Sequence, residues 1–383
     1  MENTHPAIAE ALLPFSRLSE ICLAHLAEAP EHNIKVAGVY CAFAPEEIIR
    51  AAGMLPVTLC GKDEKPISTA EIHLPAALCP LIKSSYGFAL SDTCPYFAAS
   101  NVIIGETTCD GKKKMFELMG KIKPVHVMQL PYSVDNNSAR AFWRWEVIRL
   151  KTFLEKETGN VVTDSCLQEQ IDLINIRNSK LMTLAAVMTA ASPPISGREL
   201  LKVMESRNVA IDIHSYNQLL DKLLDAIATV AVEPAKKNKP RILITGCPMG
   251  SGSDKVLQII EDLGGLVVAQ EHCGGLKSIF RHIETSSNLL HSLADHYLGT
   301  PCACMSPNTR RLDYLLALCQ QFKADAVIDA TLQNCHPYTV EHTSVATLME
   351  EKAGLPVFHV NTGYSPSDTE QIRVRIEAFL EML

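Results

Sequence analysis

Cys79, Cys94 and Cys109 lie within one stretch of the chain, residues 78–117. At its centre an apolar run, Val102-Ile103-Ile104, stops at Gly105; a polar turn follows, then Cys109, then a basic helical pattern with Lys112, Lys113 and Lys114. This reads as a buried strand that delivers a thiol at its carboxyl end and at the amino end of the next helix. The positive end of a helix and nearby ammonium groups both favour thiolate over thiol, and thiolate is the form that binds metals and iron–sulfur clusters. The lysine run reads either as a charge that tunes such a site or as a solvated helix face.

The chain carries 13 cysteines among 383 residues. Its first residues, MENTHPAIAEALLPF, lack a basic start followed by an apolar core. The reading is therefore a cytoplasmic protein without a signal peptide, in which a disulfide framework is not expected. A single free cysteine is most simply core filler, so the case for chemistry has to come from placement. Cys41, Cys60, Cys109, Cys247, Cys273 and Cys335 each follow a predicted strand, and Cys79 and Cys302 lie in the long loops. Thiols scattered over the chain suit a deep site between domains better than a zinc knuckle, whose ligands come in pairs such as CxxC. The nearest approach to such a pair is Cys302-Ala303-Cys304. Three cysteines precede proline, Cys79, Cys94 and Cys247, and for Cys94 a plain helix start is an equal reading. Cys335-His336 and His272-Cys273 offer a thiol–imidazole nucleophile, although catalytic partners are normally distant in sequence. The glycine-rich residues 246–252 after a strand allow a phosphate loop, but they match neither common phosphate-binding pattern.

The elements that must position these residues follow an α/β plan. Residues 1–32 read as an amino-terminal helix, with Leu12, Phe15, Leu18, Ile21, Cys22 and Leu26 on one face and Pro30 closing it. Residues 33–138 read as a first α/β domain, 139–233 as a helical segment and 234–383 as a second α/β domain, with a linker at 234–240. Capping-box spacing occurs at Ser165 with Gln168 and at Ser196 with Glu199, and Ser367 with Glu370 opens the closing helix. The two α/β parts repeat one order of strands, cysteines and helices, so that Cys41 answers to Cys247, Cys60 to Cys273, Cys79 to Cys302 and Cys109 to Cys335. Alternating strands and helices imply parallel sheets, whose ligands gather at the strands' carboxyl ends. Those ends are where the cysteines fall.

The composition, 47% hydrophobic and 20% charged, is that of a globular chain long enough for two or three domains. A net charge of −8 without a basic stripe argues against nucleic acid. No apolar run reaches the roughly 18 residues that cross a membrane.

Cys41-x-x-x-Pro45-Glu46-Glu47, Cys79-Pro80-Leu81-Ile82-Lys83-Ser84-Ser85-Tyr86-Gly87 and Glu106-Thr107-Thr108-Cys109-Asp110-Gly111-Lys112-Lys113 resemble the 2-hydroxyacyl-CoA dehydratase family. The likeness extends to Glu271-x-Cys273-x-Gly275 and Cys335-x-x-Tyr338-x-x-Glu341 and covers nearly the whole chain. It implies two flavodoxin-like (Rossmann-like) parallel-sheet domains, a helical middle segment and an iron–sulfur cluster between the domains. It also implies a separate ATP-hydrolysing iron–sulfur activator that injects a low-potential electron. In dehydratase subunits three cysteines, here Cys79, Cys109 and Cys335, hold a [4Fe–4S] cluster. The surplus of thiols resembles the double-cubane branch, in which six cysteines hold an [8Fe–9S] cluster. By that resemblance the six are Cys41, Cys79, Cys109, Cys273, Cys302 and Cys335, with Cys60 and Cys247 as substitutes. The same resemblance makes Lys83, Ser84 and Ser85 donors to a small-molecule substrate, and implies a low-potential reductase ahead of a dehydratase subunit. It suggests a homodimer, with the need for a second, different subunit left open. An electron carrier without turnover and a zinc- or thiol-stabilised binding protein remain rival classes.

Overall fold

The computed structural model describes residues 4–230, 239–250 and 252–383. Most of the expected linker, residues 234–238, lies outside the described residues, as does Ser251 of the glycine-rich loop.

Eight strands form two all-parallel sheets. The first holds β1 (Val36–Val39), β2 (Leu55–Thr58), β3 (Val102–Glu106) and β4 (Val125–Met128) in the order β2-β1-β3-β4. The second holds β5 (Arg241–Gly246), β6 (Leu266–Glu271), β7 (Ala326–Leu332) and β8 (Val357–Thr362) in the order β6-β5-β7-β8. The expected repeat is therefore a repeat of topology, strand for strand. β1, β3 and β7 are buried along their whole length, and β5 along all but its first residue. Helices cover both faces of such sheets, which is why these strands read as continuous apolar runs. The fold is α/β with two flavodoxin-like sheets; the order of elements implied that the sheets are parallel, and the family resemblance that they are flavodoxin-like.

Helices complete both layers. The amino-terminal helix Pro6–Glu28 packs on helices Gly197–Ser206 and Ile213–Thr229 through Leu12, Phe15, Leu18 and their neighbours. Ile21, expected on that face, is 47% exposed; Cys22, four residues on from Leu18, holds the buried row instead. Helices Asn137–Thr158 and Asp164–Ala186 follow the first sheet. Of the capping boxes, Ser196 with Glu199 forms in full. Ser165 with Gln168 does not: Thr163, two residues earlier, has the extended backbone a cap needs and accepts the Cys166 amide at 3.2 Å. The closing helix Thr369–Glu381 is likewise preceded by Asp368, while Ser365 caps the short turn Pro366–Asp368 that contains Ser367.

One helix that the sequence reading did not assign, Leu289–Leu298, determines how the halves meet. It follows the second sheet's β6, yet packs against helix Asn137–Thr158, with Leu293, Ala294 and Leu298 in one core with Phe43 and Trp143. The residues immediately after it, 299–307, carry Cys302 and Cys304 and are thereby laid against the first sheet's side of the molecule.

Candidate functional site

Each sheet launches its thiols from matching points. Cys60 and Cys273 stand two residues past β2 and β6, and Cys109 and Cys335 three residues past β3 and β7. Cys41 stands two residues past β1, and Cys247 directly follows β5. Strand ends of a parallel sheet point one way, so two sheets set end toward end bring these positions into one interior. Backbone shape sharpens the turns. Cys41 itself has φ +64°, a left-handed conformation uncommon for a residue with a side chain. Gly246, at φ +119°, passes so close to Ala330 that an added Cβ would stand 2.1 Å from its carbonyl oxygen.

The structure brings the thiols together in two neighbourhoods. In the first, Cys79, Cys335 and Cys247 form a run of hydrogen-bonding contacts with Cys335 in the middle, and Cys109 lies beside Cys79. Cys60, Cys79, Cys94, Cys109, Cys247 and Cys335 all belong to one buried cluster that draws on both halves. The Tyr364 hydroxyl is buried among Cys60, Cys79, Cys247 and Cys335 and has no hydrogen-bond partner among the described residues. Amide groups of Leu81 and Ile82 face Cys79, and those of Gly111 and Lys112 face Cys109. In the second neighbourhood, Cys41, Cys60 and Cys273 line a cavity of about 140 Å³. Cys302 bonds the thiol of Cys304 and lies 3.9 Å from the Tyr338 hydroxyl, within the electrostatic reach of Cys273.

Charge around these thiols is buried and paired. The Lys112 ammonium bonds Cys41 Sγ, whereas Lys113 and Lys114 turn outward to Asp110 and Glu117. The lysine run is thus split, one member at the site and two on a solvated face. Lys277, fully buried, bonds the Tyr338 hydroxyl and stands 3.4 Å from Glu271; Arg311 reaches the same Glu271 at 3.0 Å and also pairs with Glu341. Both cations lie over the Tyr338 ring, at 4.7 and 5.0 Å from its centroid. In the cavity, Glu47 accepts a hydrogen bond from Tyr297 Oη at 2.9 Å, beside an ion pair of Glu46 with Arg177. Burial, helped by the charge of Glu46, pushes Glu47 up to about 7.

Protonation follows burial more than helix ends. Burial pushes Cys41 up to about 11 and Cys273 up to about 12. It raises Cys109 as well, against the nearby amide and ammonium of Lys112, so the expected thiolate-favouring setting at Cys109 is reversed. The reason is that the half-buried Cys109 packs against a hydrocarbon cluster, where desolvating a thiolate costs more than one helix end returns. Cys302 alone of the six candidates is pulled down, to about 5, by the hydrogen bond with Cys304, with burial opposing and Lys277 assisting.

Lys83, Ser84 and Ser85 are engaged within the protein. Lys83 Nζ pairs with Glu71 at 2.7 Å and donates to the Ala76 carbonyl at 2.8 Å. Ser84 Oγ accepts the Asp63 amide at 3.1 Å and Ser85 Oγ the Gly61 amide at 3.3 Å, which fastens the loop behind Cys60. In the glycine-rich loop, Lys255 is bound to Asp368 and the Ser365 carbonyl, so the cation that a phosphate loop needs is already paired. Cys22, Cys166 and Cys319 lie apart from the site, in helix packing. The sequence reading assigned no role to Lys277, Arg311, Tyr338, Tyr297 or Tyr364. A signal existed for Tyr338 and Glu341, which stand three and six residues past Cys335 and so run along one side of helix His336–Leu348.

Among the described residues no three Cys, His, Asp or Glu side chains stand close enough about one point to hold a single metal ion. A cubane asks for a different arrangement, because each of its irons takes its own cysteine and the thiols stand around the cluster. Thiols from both halves, amides aimed at them and an unpartnered buried hydroxyl fit that requirement.

The family model for the 2-hydroxyglutaryl-CoA dehydratase D-component matches residues 41–383. YjiM of Escherichia coli (strain K12), a proposed dehydratase subunit, is 39% identical over 370 residues, 96% of this chain and 97% of the relative. The beta subunit of (R)-phenyllactyl-CoA dehydratase from Clostridium sporogenes is 24% identical over 91% of this chain and 92% of its own. One of the subunits of benzoyl-CoA reductase from Thauera aromatica is 22% identical over 90% and 89%. No helix among the described residues is long and apolar enough to cross a membrane.

Proposed function

The chain belongs to the 2-hydroxyglutaryl-CoA dehydratase D-component family and is a dehydratase- or reductase-type subunit, and from that premise we propose that it is an iron–sulfur reductase of the double-cubane type. The observation that carries this reading is the presence of two thiol neighbourhoods rather than one. Cys79, Cys109 and Cys335 would hold one cubane, and Cys41, Cys273 and Cys302 the other, with Cys247 and Cys60 adjacent as alternates. Bound there, the cluster supplies low-potential electrons to a small-molecule substrate. A separate ATP-hydrolysing iron–sulfur activator delivers those electrons, since Lys255, the lysine beside the chain's glycine-rich loop, is already paired and not free for ATP phosphates.

The chain's own residues set the rest. Five of the six candidate thiols are raised, Cys41, Cys109 and Cys273 chiefly by burial and Cys79 and Cys335 chiefly by hydrogen bonds to neighbouring thiols, so metal loading displaces their protons and proceeds more readily as pH rises. Lys112 and Lys277 are buried cations on Cys41 and beside Cys302, and they offset thiolate charge where water cannot. Glu47 opens on the same cavity and keeps its proton up to about pH 7, which makes it the donor for a reduction that takes up protons. Its carboxylic acid form is half-populated near pH 7, gains as pH falls and gives way to carboxylate as pH rises, so turnover falls as pH rises through neutrality, and Glu47→Gln removes that limb of the profile.

A second reading is favoured by the relatives' names: a [4Fe–4S] subunit of a (R)-2-hydroxyacyl-CoA dehydratase that works with a different partner subunit. Anaerobic purification with iron and sulfide counting separates the two. About eight irons per chain supports the double cubane, about four supports the dehydratase subunit, and none overturns both.

A further inference from the structure

Tyr338 touches both thiol neighbourhoods. It lies in the first turn of helix His336–Leu348, where its backbone amide faces Cys335, and its hydroxyl stands 3.9 Å from Cys302 Sγ. The side chain is buried, and its ring is held by two cations, Lys277 Nζ at 4.7 Å and the Arg311 guanidinium at 5.0 Å from the centroid. Glu271 ties those cations to each other, at 3.4 Å from Lys277 and 3.0 Å from Arg311, and Glu341 also pairs with Arg311. The charges therefore balance inside the network, and what it fixes is the direction of one hydroxyl.

That direction follows from counting protons. A lysine ammonium only donates, so its bond to the Tyr338 hydroxyl uses an oxygen lone pair and leaves the single hydroxyl proton to point elsewhere. Arg311 offers no acceptor either. Among the described residues the other atom bonded to this oxygen is Cys302 Sγ. A cysteine bound to iron has given up its proton, so the contact then runs only one way, from oxygen to sulfur.

We propose that Tyr338, positioned by Lys277, donates its hydroxyl hydrogen bond to Cys302 Sγ and so sets how readily a cluster bound there takes up an electron. The inference rests on the iron–sulfur reading above, with Cys302 as a ligand. A donor aimed at a ligand sulfur stabilises the more negative, reduced state and raises the potential.

The test is an anaerobic titration with titanium(III) citrate, iron counted first and reduction followed by electron paramagnetic resonance. Tyr338→Phe keeps the ring, the helix and the amide at Cys335 and loses one oxygen. It is expected to hold the parent's iron, while its equilibrium for the first electron falls by about fivefold or more, read as a more negative midpoint. Lys277→Met moves the midpoint the same way, and the double variant moves it by less than the sum of the two, because both act through one bond. Replacing Tyr338 by 3-fluorotyrosine, a stronger donor of nearly the same size, moves it to less negative values. Tyr216→Phe is the control: that hydroxyl serves the Val203 carbonyl at 2.7 Å in a separate core, and its loss leaves the midpoint in place. The inference is overturned if iron-loaded Tyr338→Phe keeps the parent's midpoint or if 3-fluorotyrosine leaves it unmoved, and the second arm decides should Tyr338→Phe shed its iron. A parent protein without iron overturns the reading beneath as well, and the iron count tells the two failures apart.

Discussion

Cys335 stands between two thiols, Cys79 on one side and Cys247 on the other. It also caps the helix that presents Tyr338 to Cys302. A serine there keeps the size but replaces a soft ligand by a hard one that iron–sulfur clusters seldom accept. Cys335→Ser is therefore expected to lose most of the iron on anaerobic purification. Cys319→Ser serves as the control, because Cys319 is buried against Met349 far from the other thiols. That variant keeps its iron and loses about 1–3 kcal/mol of stability by burying a hydroxyl without a partner. Equal iron in the two variants would remove Cys335 from the ligand set. Placement separated these cysteines already in the sequence: Cys335 follows an apolar run and a turn, whereas Cys319 sits inside a helical pattern.

At the scale of elements, the strand–turn–helix unit does the positioning, and its strands impose their own pH limit. His126 in β4 is 6% exposed, stacked on Phe153 at 4.6 Å, with Nε2 unpartnered among the described residues. Burial, with Arg149 nearby, lowers it to about 4. The unfolded chain, titrating near 6.5, takes up the proton first as pH falls. The contribution is whole above pH 6.5 and is lost between 6.5 and 4. A shift of this size is worth up to about 3 kcal/mol. Urea midpoints are expected to drop between pH 7 and pH 5 in the parent and to drop less in His126→Phe. An identical drop in both would place the acid sensitivity elsewhere. Periodicity made β4 legible as a strand; it carried no sign that His126 would lack a partner, because that depends on what helix Asn137–Thr158 lays over it.

The whole molecule is held across its halves by contacts distant in sequence. Helix Leu289–Leu298 packs into the core around Trp143. Arg207 bonds the carbonyls of Cys273 and Gly274, and Lys62 pairs with Glu205. Candidate ligands come from both sheets, so a bound cluster would tie the native state together and have no counterpart in the unfolded chain. The cluster-loaded protein is expected to melt in one transition at a clearly higher temperature than protein stripped of iron by anaerobic chelation. Melting temperatures that coincide, with iron content verified, would mean that the ligands do not span the two halves.

The amino-acid sequence by itself determined the α/β class, the doubled order of strands and the fall of cysteines at strand ends. These are local facts, written in apolar runs, turn residues and short spacings that each element carries within itself. Only the tertiary structure decided which thiols face one another, that Lys112 alone of its run turns inward, and that Ser84 and Ser85 bind the loop behind Cys60. It likewise decided that burial outweighs the helix end at Cys109. Those outcomes depend on desolvation and on side chains that separate segments of the chain bring together, and neither is present in any stretch of chain read alone.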